Sequence, residues 1–181
     1  MARRNYHHGD LKAVILVQAA ALVAERGADS ISLRELARAA GVSHAAPAHH
    51  FTDRRGLFTA LATEGFTLLA AALHEAKPEF AYAARAYVQF ALDHPGHYAV
   101  MFDKMLYDAA DPALCAAEAE AAAELTGGVA TLADPNAQSD PDGSALAAWS
   151  LVHGFALLTL NGAVTDADPV EERIRAHARA H

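Results

Sequence analysis

The chain has 181 residues, 53% of them hydrophobic and 20% charged, which is enough apolar material for a sizeable core and argues against global disorder. Much of the apolar share is alanine, a strong helix former and a poor strand former, so an all-α fold is expected. The formal net charge of −8 would speak against nucleic acid, but residues 1–60 carry a net +3 and residues 61–181 a net −11, which suggests a polyanion-facing N-terminal part joined to an acidic body.

Arg3 and Arg4 precede the apolar run AVILVQAAALVA, but His7, His8, Gly9 and Asp10 intervene and Gln18 interrupts it. The run therefore reads as a capped helix rather than a signal peptide. Asp10 is placed to cap that helix, from Leu11 to Arg26, with Gly27 at its C′ position. Ser32-Leu33-Arg34-Glu35 has capping-box spacing and opens a short helix ending near Ala40. Gly41 permits a tight turn, and Ser43 can cap a second short helix in which Pro47 falls at the fourth position. Asp53 can cap a longer helix to about Ala76, stopped by Pro78. Further helices fit Glu79 to Asp93, Pro95 to Phe102, Pro112 to about Leu132 and Ala145 to about Val164. A last one follows Pro169, giving about nine. Ala133 to Ser144 (ADPNAQSDPDGS) reads as the one clear loop. No strand-like period appears, and no run approaches the ~18 apolar residues of a membrane span, so no membrane partner is expected. The single cysteine, Cys115, cannot form an intrachain disulfide and fits a reducing, cytoplasmic setting.

The stretch LRELARAAGVSHAAPAHHF has the spacing of a helix-turn-helix. Ala37, four residues before Gly41, lets the two helices cross closely, and Leu33, Leu36, Val42 and Phe51 supply the apolar side. On these pieces residues 10–66 resemble the DNA-binding domain of the TetR family of transcriptional regulators: a helix ending in ERG, then SLRELARAAGVS, HHF and DRRGLFTAL. The remainder resembles the family's ligand-binding and dimerisation body. AWSLVHGFALLTLNG (Ala148 to Gly162) and HPGHYAVMF (His94 to Phe102) are similar to the subclass with a Trp/His/Gly ("WHG") signature.

The resemblance implies a three-helix DNA-binding domain over residues 1–52, with an arm at 1–9, and a larger helical ligand-binding and dimerisation domain over 53–181. It implies base-edge contacts from Arg34, His44, Ala45, Ala46 and His49, with Ser43 heading the second helix, and phosphate contacts from Ser32, His50 and Arg54. The chemistry agrees: arginine forks onto guanine, histidine can donate to a base acceptor, and alanine offers a methyl surface to thymine. One departure is Ala48, where the family usually places a phosphate-bonding aromatic; another is Arg54 in place of the usual lysine. The arm, through Arg3, Arg4 and Tyr6, either compensates by reaching the adjacent groove or backbone, or is a disordered tail. Protonated histidines facing phosphate would make affinity rise as pH falls.

Adjacent histidines such as His49 and His50 do not share a helix face, and no ligand-spaced cysteine or carboxylate joins them, so no metal or cofactor is expected. No catalytic motif is present, so the chain is not read as an enzyme. Trp149 and His153, four apart on an apolar helix, form either the wall of a ligand pocket or a core pair, with Gly154 for close packing. Tyr87, Phe90, Met101, Phe102 and Met105 are likewise core or a plastic pocket for a small apolar effector. Leu151, Phe155, Leu158 and Leu160 exceed what one small core must hide. Family members dimerise through the last two helices, so a homodimer on a near-palindromic double-stranded operator is implied, most simply a repressor that the effector releases. The alternatives are a helical adaptor or a small helical enzyme with an incidental helix-turn-helix.

Overall fold

The computed structural model of the chain describes residues 8–76, 80–131 and 135–164. Among these residues there are nine α-helices and no strand. The contacts gather them into two compact units. One holds residues 1–65 and 94–115, the other residues 66–93 and 116–181. This division cuts across the 52/53 boundary expected from sequence, because residues 53–65 and 94–115 group with the N-terminal helices.

In the first unit α1 (His8–Arg26) buries Ile15, Leu16, Ala19, Leu22 and Val23, one stripe at helical spacing. Its backbone is already helical at His8, ahead of the start expected at Leu11 after Asp10. Gly27, at φ +78°, ends the helix and donates to the Val23 carbonyl at 2.8 Å.

A 3₁₀ turn (Ala28–Ser30) leads to α2 (Leu33–Ala39). Half of the expected capping box forms. The Ser32 hydroxyl accepts from the Glu35 amide at 3.2 Å, but the Glu35 carboxylate goes to Arg26 at 2.9 Å. Gly41, at φ +67°, then carries the turn, with the Val42 amide bonded to the Ala37 carbonyl.

The next helix, α3 (Ala46–Phe51), starts later than expected. Ser43 caps nothing with its side chain; its carbonyl accepts from the Ala46 amide in a turn. The reason is Pro47. At a fourth helical position its ring would press on the Ser43 carbonyl, so the helix opens one residue before it and the proline occupies the second position.

Only Thr52 and Asp53 separate α3 from α4 (Arg54–Glu75). Thr52 stands at φ 67°, ψ −59°, and the Asp53 amide donates to the Phe51 carbonyl at 2.7 Å. This is a γ-turn of the rare positive-φ hand. As expected, Asp53 caps α4, its carboxylate accepting from the Gly56 amide at 2.7 Å. A β-carbon added at Gly56 would overlap the Phe51 carbonyl, so only glycine fits there.

Helix α6 (Pro95–Met101) lies against α1, and a β-carbon added at Gly96 would overlap the Ala20 carbonyl. Two bonds hold the following segment. The buried Tyr107 hydroxyl donates to the Met101 carbonyl at 2.8 Å, and the Asp108 amide donates to the Thr59 hydroxyl at 2.9 Å. His97, buried on α6, meets Glu64 of α4 at 3.0 Å.

The second unit takes the later part of α4, α5 (Phe80–Asp93), most of α7 (Pro112–Val129), α8 (Pro135–Ser139) and α9 (Pro141–Leu160). α9 buries Ala148, Val152 and Ala156, spaced by four, and packs on α5. Two expectations need correction. α7 ends at Val129, because Gly127 and Gly128 weaken its last turn and the Thr131 hydroxyl takes the Gly128 carbonyl at 2.7 Å. The segment expected as a loop carries α8 and the first turn of α9. Each begins at a proline, whose fixed φ and missing N–H suit a helix start, and Asp140 caps α9 through the Gly143 amide at 3.0 Å. At its far end α9 closes in a Schellman motif around Gly162, with Ala163 bonded to Leu158 and Gly162 to Thr159. The helix expected after Pro169, and the arm at residues 1–7, lie outside the described residues.

By length and composition α4 and α9 could each cross a membrane, contrary to the reading of apolar runs, because a span tolerates scattered polar residues. Half of α4 is buried in the fold, whereas α9 leaves most of its surface outside this chain's core.

The Gly96→Ala variant is expected to lose about 1–3 kcal/mol of stability, since α6 must move off the α1 backbone. Gly127→Ala, where an added carbon meets nothing within 4 Å, is expected to be neutral or to gain up to ~1 kcal/mol. Denaturant midpoints check both; equal midpoints for the two variants would contradict the packing argument.

Candidate nucleic-acid interface

The exposed surface of α2, the turn and α3 gathers most of the expected DNA-facing residues. Arg34 is exposed on α2, and Arg38 lies one turn further along the same face, also exposed. They share with Ser32, Glu35 and His44 a recess of about 450 Å³. Glu35 is paired to Arg26, so its charge is offset locally. Ser43, His44 and Ala45 lie in the exposed turn before α3, not on the helix, and Ala46 opens it half-buried. On α3 Pro47 and Phe51 face the core, Ala48 and His49 are exposed, and His50 is half-buried. The two imidazoles stand edge to face, 5.5 Å between centroids.

Arg54 is placed differently from a free phosphate contact. Its Nε donates to the Ile31 carbonyl at 3.1 Å and its Nη2 to the Ala28 carbonyl at 2.8 Å. Asp29 lies 3.6 Å from the guanidinium, which sits 4.7 Å over the Phe58 ring. Arg54 thus ties the 3₁₀ turn to α4. Two exposed cations missed in the sequence reading, Lys12 and Arg55, line a second groove of about 580 Å³ with His50. Arg38 was also missed, although its i+4 relation to Arg34 was legible.

In the second unit Tyr87 of α5 is buried and joins the two α9 residues singled out from sequence. The Trp149 indole N–H donates to the Tyr87 hydroxyl at 3.2 Å, and that hydroxyl lies 3.0 Å from His153 Nδ1. Indole can only donate, so the Tyr87 oxygen accepts that bond, and its O–H can donate to His153 Nδ1 when that nitrogen is unprotonated. Burial pushes the His153 pKa below its ordinary value, which favours this neutral form. Phe90 is buried on α5 in the same unit. Met101 and Met105 belong to the first unit, where Met101 packs against Gly65 and Met105 is 89% exposed. The six residues expected to line a ligand pocket are therefore divided between the units. Among the described residues nothing lies within 4 Å of a carbon added at Gly154, so close packing inside the chain does not require that glycine.

Residues 15–61 match the family of bacterial regulatory proteins of the tetR type, and residues 80–181 match the tetracyclin repressor-like C-terminal domain. Among solved structures, a protein of unknown function from Rhodococcus sp. RHA1 is 37% identical over 98% of this chain and 96% of its own, with a TM-score of 0.76. SCO4313, assigned a regulatory role, is 26% identical over 100% of both chains, with a TM-score of 0.77. A bacterial regulatory protein of the tetR family from Rhodococcus RHA1 shares the fold at 19% identity, covering 93% of this chain and 94% of its own, TM-score 0.75. No curated protein matches the chain. The chain belongs to the TetR family, whose members are DNA-binding transcriptional regulators.

His153 supplies a pH prediction. In the unfolded chain a histidine titrates near ~6.5; in the fold it titrates lower. As pH falls below the unfolded value, the unfolded chain gains a proton that the folded one does not yet bind, so stability falls. His153→Asn keeps an acceptor for Tyr87 without titrating, and is expected to lose stability less steeply than the wild type between pH 7.5 and 5. Parallel melting profiles for the two proteins would contradict this.

Proposed function

We propose that this protein is a homodimeric, ligand-responsive repressor that leaves a near-palindromic operator when a small apolar effector binds. The observation that carries the DNA-reading part is the exposed set of Arg34, His44 and His49 presented by α2, the turn and α3. In this reading α3 and the turn before it enter the major groove. Arg34, Ser43, His44, Ala45, Ala46 and His49 approach base edges, and Ser32 and His50 approach phosphates. Residues 1–52 read DNA, and residues 53–181 sense the effector and dimerise in the cytoplasm. The body is assigned to the WHG subclass on Trp149, His153 and Gly154.

The dimer reading is supported by α9. Leu146, Leu151, Leu157 and Leu158 are 41–59% exposed on the side away from its buried Ala148, Val152 and Ala156. Ser150 and Gly154 lie between them and allow a second helix to approach closely. Effector release follows as a population shift: a ligand preferring a body whose DNA-reading units are wrongly spaced lowers operator affinity. α4 belongs to both compact units and is the natural carrier of that change.

Selection of bound duplexes from a random pool is expected to return two inverted half-sites about one helical turn, ~34–36 Å, apart. Arg34→Ala with His49→Ala is expected to abolish that selection while leaving the helical circular-dichroism signal intact. Enrichment of no duplex by the wild type would overturn the reading. Leu151→Glu with Leu158→Glu is expected to give a monomer by analytical ultracentrifugation; a variant dimer as stable as the wild type would move the interface elsewhere.

A further inference from the structure

By spacing, the Glu35 carboxylate has three candidate partners. One is the Ser32 amide, which would complete the capping box. Another is Arg38, because positions three apart on a helix are surface neighbours. The third is Arg26, the last residue of α1. The fold selects Arg26. Its Nη1 donates to Glu35 Oε1 at 2.9 Å, and its Nε donates to Glu25 at 3.3 Å. Gly27 and the 3₁₀ turn make this possible by returning the chain so that α2 packs beside α1.

The choice matters because of where Glu35 stands. Glu35 is the one acid among the residues lining the recess that Ser32, Arg34, Arg38 and His44 share, and Glu25 does not line it. Among the described residues neither Arg34 nor Arg38 has an ion pair or hydrogen bond through its guanidinium, and both are exposed. Without Arg26 the Glu35 carboxylate would act twice on this surface. It would repel an approaching phosphate, and it would pair with Arg38 and withdraw that cation. Arg34 adjoins Glu35 in sequence and does not share its face, so Arg38 is the cation at stake. The Arg26–Glu35 pair itself contributes little stability, because its side chains are 47% and 28% exposed. Its consequence is electrostatic: it decides which charges the recess presents.

We propose that Arg26 is a positioning residue for DNA binding, holding Glu35 against the end of α1 and so keeping Arg38 free to face the polyanion. Arg26 does this from outside the recess, without touching DNA. The proposal rests on the DNA-binding reading above and adds to it a residue that acts only through another.

The test uses the full chain and a random-sequence duplex, with affinity followed against salt in variants that keep the helical circular-dichroism signal. Arg26→Gln is expected to weaken binding and to reduce the log–log salt slope by about 0.9 per protomer, the loss of one effective cation. Glu35→Gln is expected to keep at least the wild-type slope. Combining the two substitutions is expected to restore the wild-type slope, because nothing then competes for Arg38. A merely structural role for Arg26 would show no such rescue. The proposal is overturned by a wild-type slope in Arg26→Gln, or by a reduced slope in Glu35→Gln. It is equally overturned by a double variant whose slope stays as low as that of Arg26→Gln, which would make Arg26 itself a DNA contact. No duplex binding by the wild type at any salt would overturn the regulator reading and this proposal with it.

Discussion

The carbonyl of Phe51 governs the DNA-facing half of this molecule. It accepts the Asp53 amide within a γ-turn, and it occupies the space that any side chain at position 56 would need. Holding Thr52, a β-branched residue, at positive φ costs about 1–3 kcal/mol. Burial of Phe51 and Pro47 and the Asp53 cap offset that cost. The return is a change of direction between two helices in only two residues. Because the junction is so short, it also fixes the phase of α4 and brings Arg54 within reach of the 3₁₀ turn.

Charge is arranged around that junction with little waste. Arg26 neutralises Glu35, and Arg54 satisfies carbonyls left at the end of the 3₁₀ turn. Four exposed cations, Lys12, Arg34, Arg38 and Arg55, lie at the two ends of α3. Surface ion pairs contribute little stability, so the structural value of these pairings is modest. Their effect is to select which positive groups stay available to a polyanion. The acidic excess of the chain falls outside the first 60 residues and does not cancel them.

In the second unit a polar chain of three groups does the work that a wholly apolar contact would do less specifically. Trp149 and His153 lie on one face of α9, and the buried Tyr87 hydroxyl joins them to α5. Tyr87 thereby links both α9 side chains to α5, and burial holds the His153 pKa below its ordinary value, toward the neutral form. The opposite side of α9 stays apolar and uncovered by the described residues, and this asymmetry is the basis of the dimer reading.

Much of this was legible in the sequence. Ser32 and Asp53 cap helices because a short side-chain acceptor before a helical stretch has few better partners than the next free amides. Gly41 sits at positive φ because the turn needs it. Trp149 and His153 share a face because they are four apart. What the sequence did not show involved groups whose partners are distant in sequence, or prolines read only as breakers. Ser43 lost its cap because Pro47 moved the helix start. Pro135 and Pro141 opened helices where a loop was expected. Nothing local showed that Ala28 and Ile31, more than twenty residues earlier, accept two of the Arg54 N–H groups. Met101 and Met105, expected together with Tyr87, Phe90, Trp149 and His153, group with the first unit. Sequence alone therefore determined the all-α class, the reading motif and its family, since these rest on local spacing. Only the tertiary structure decided which cations remain free and which polar groups are paired, because a side chain's partner is set by what the fold brings beside it.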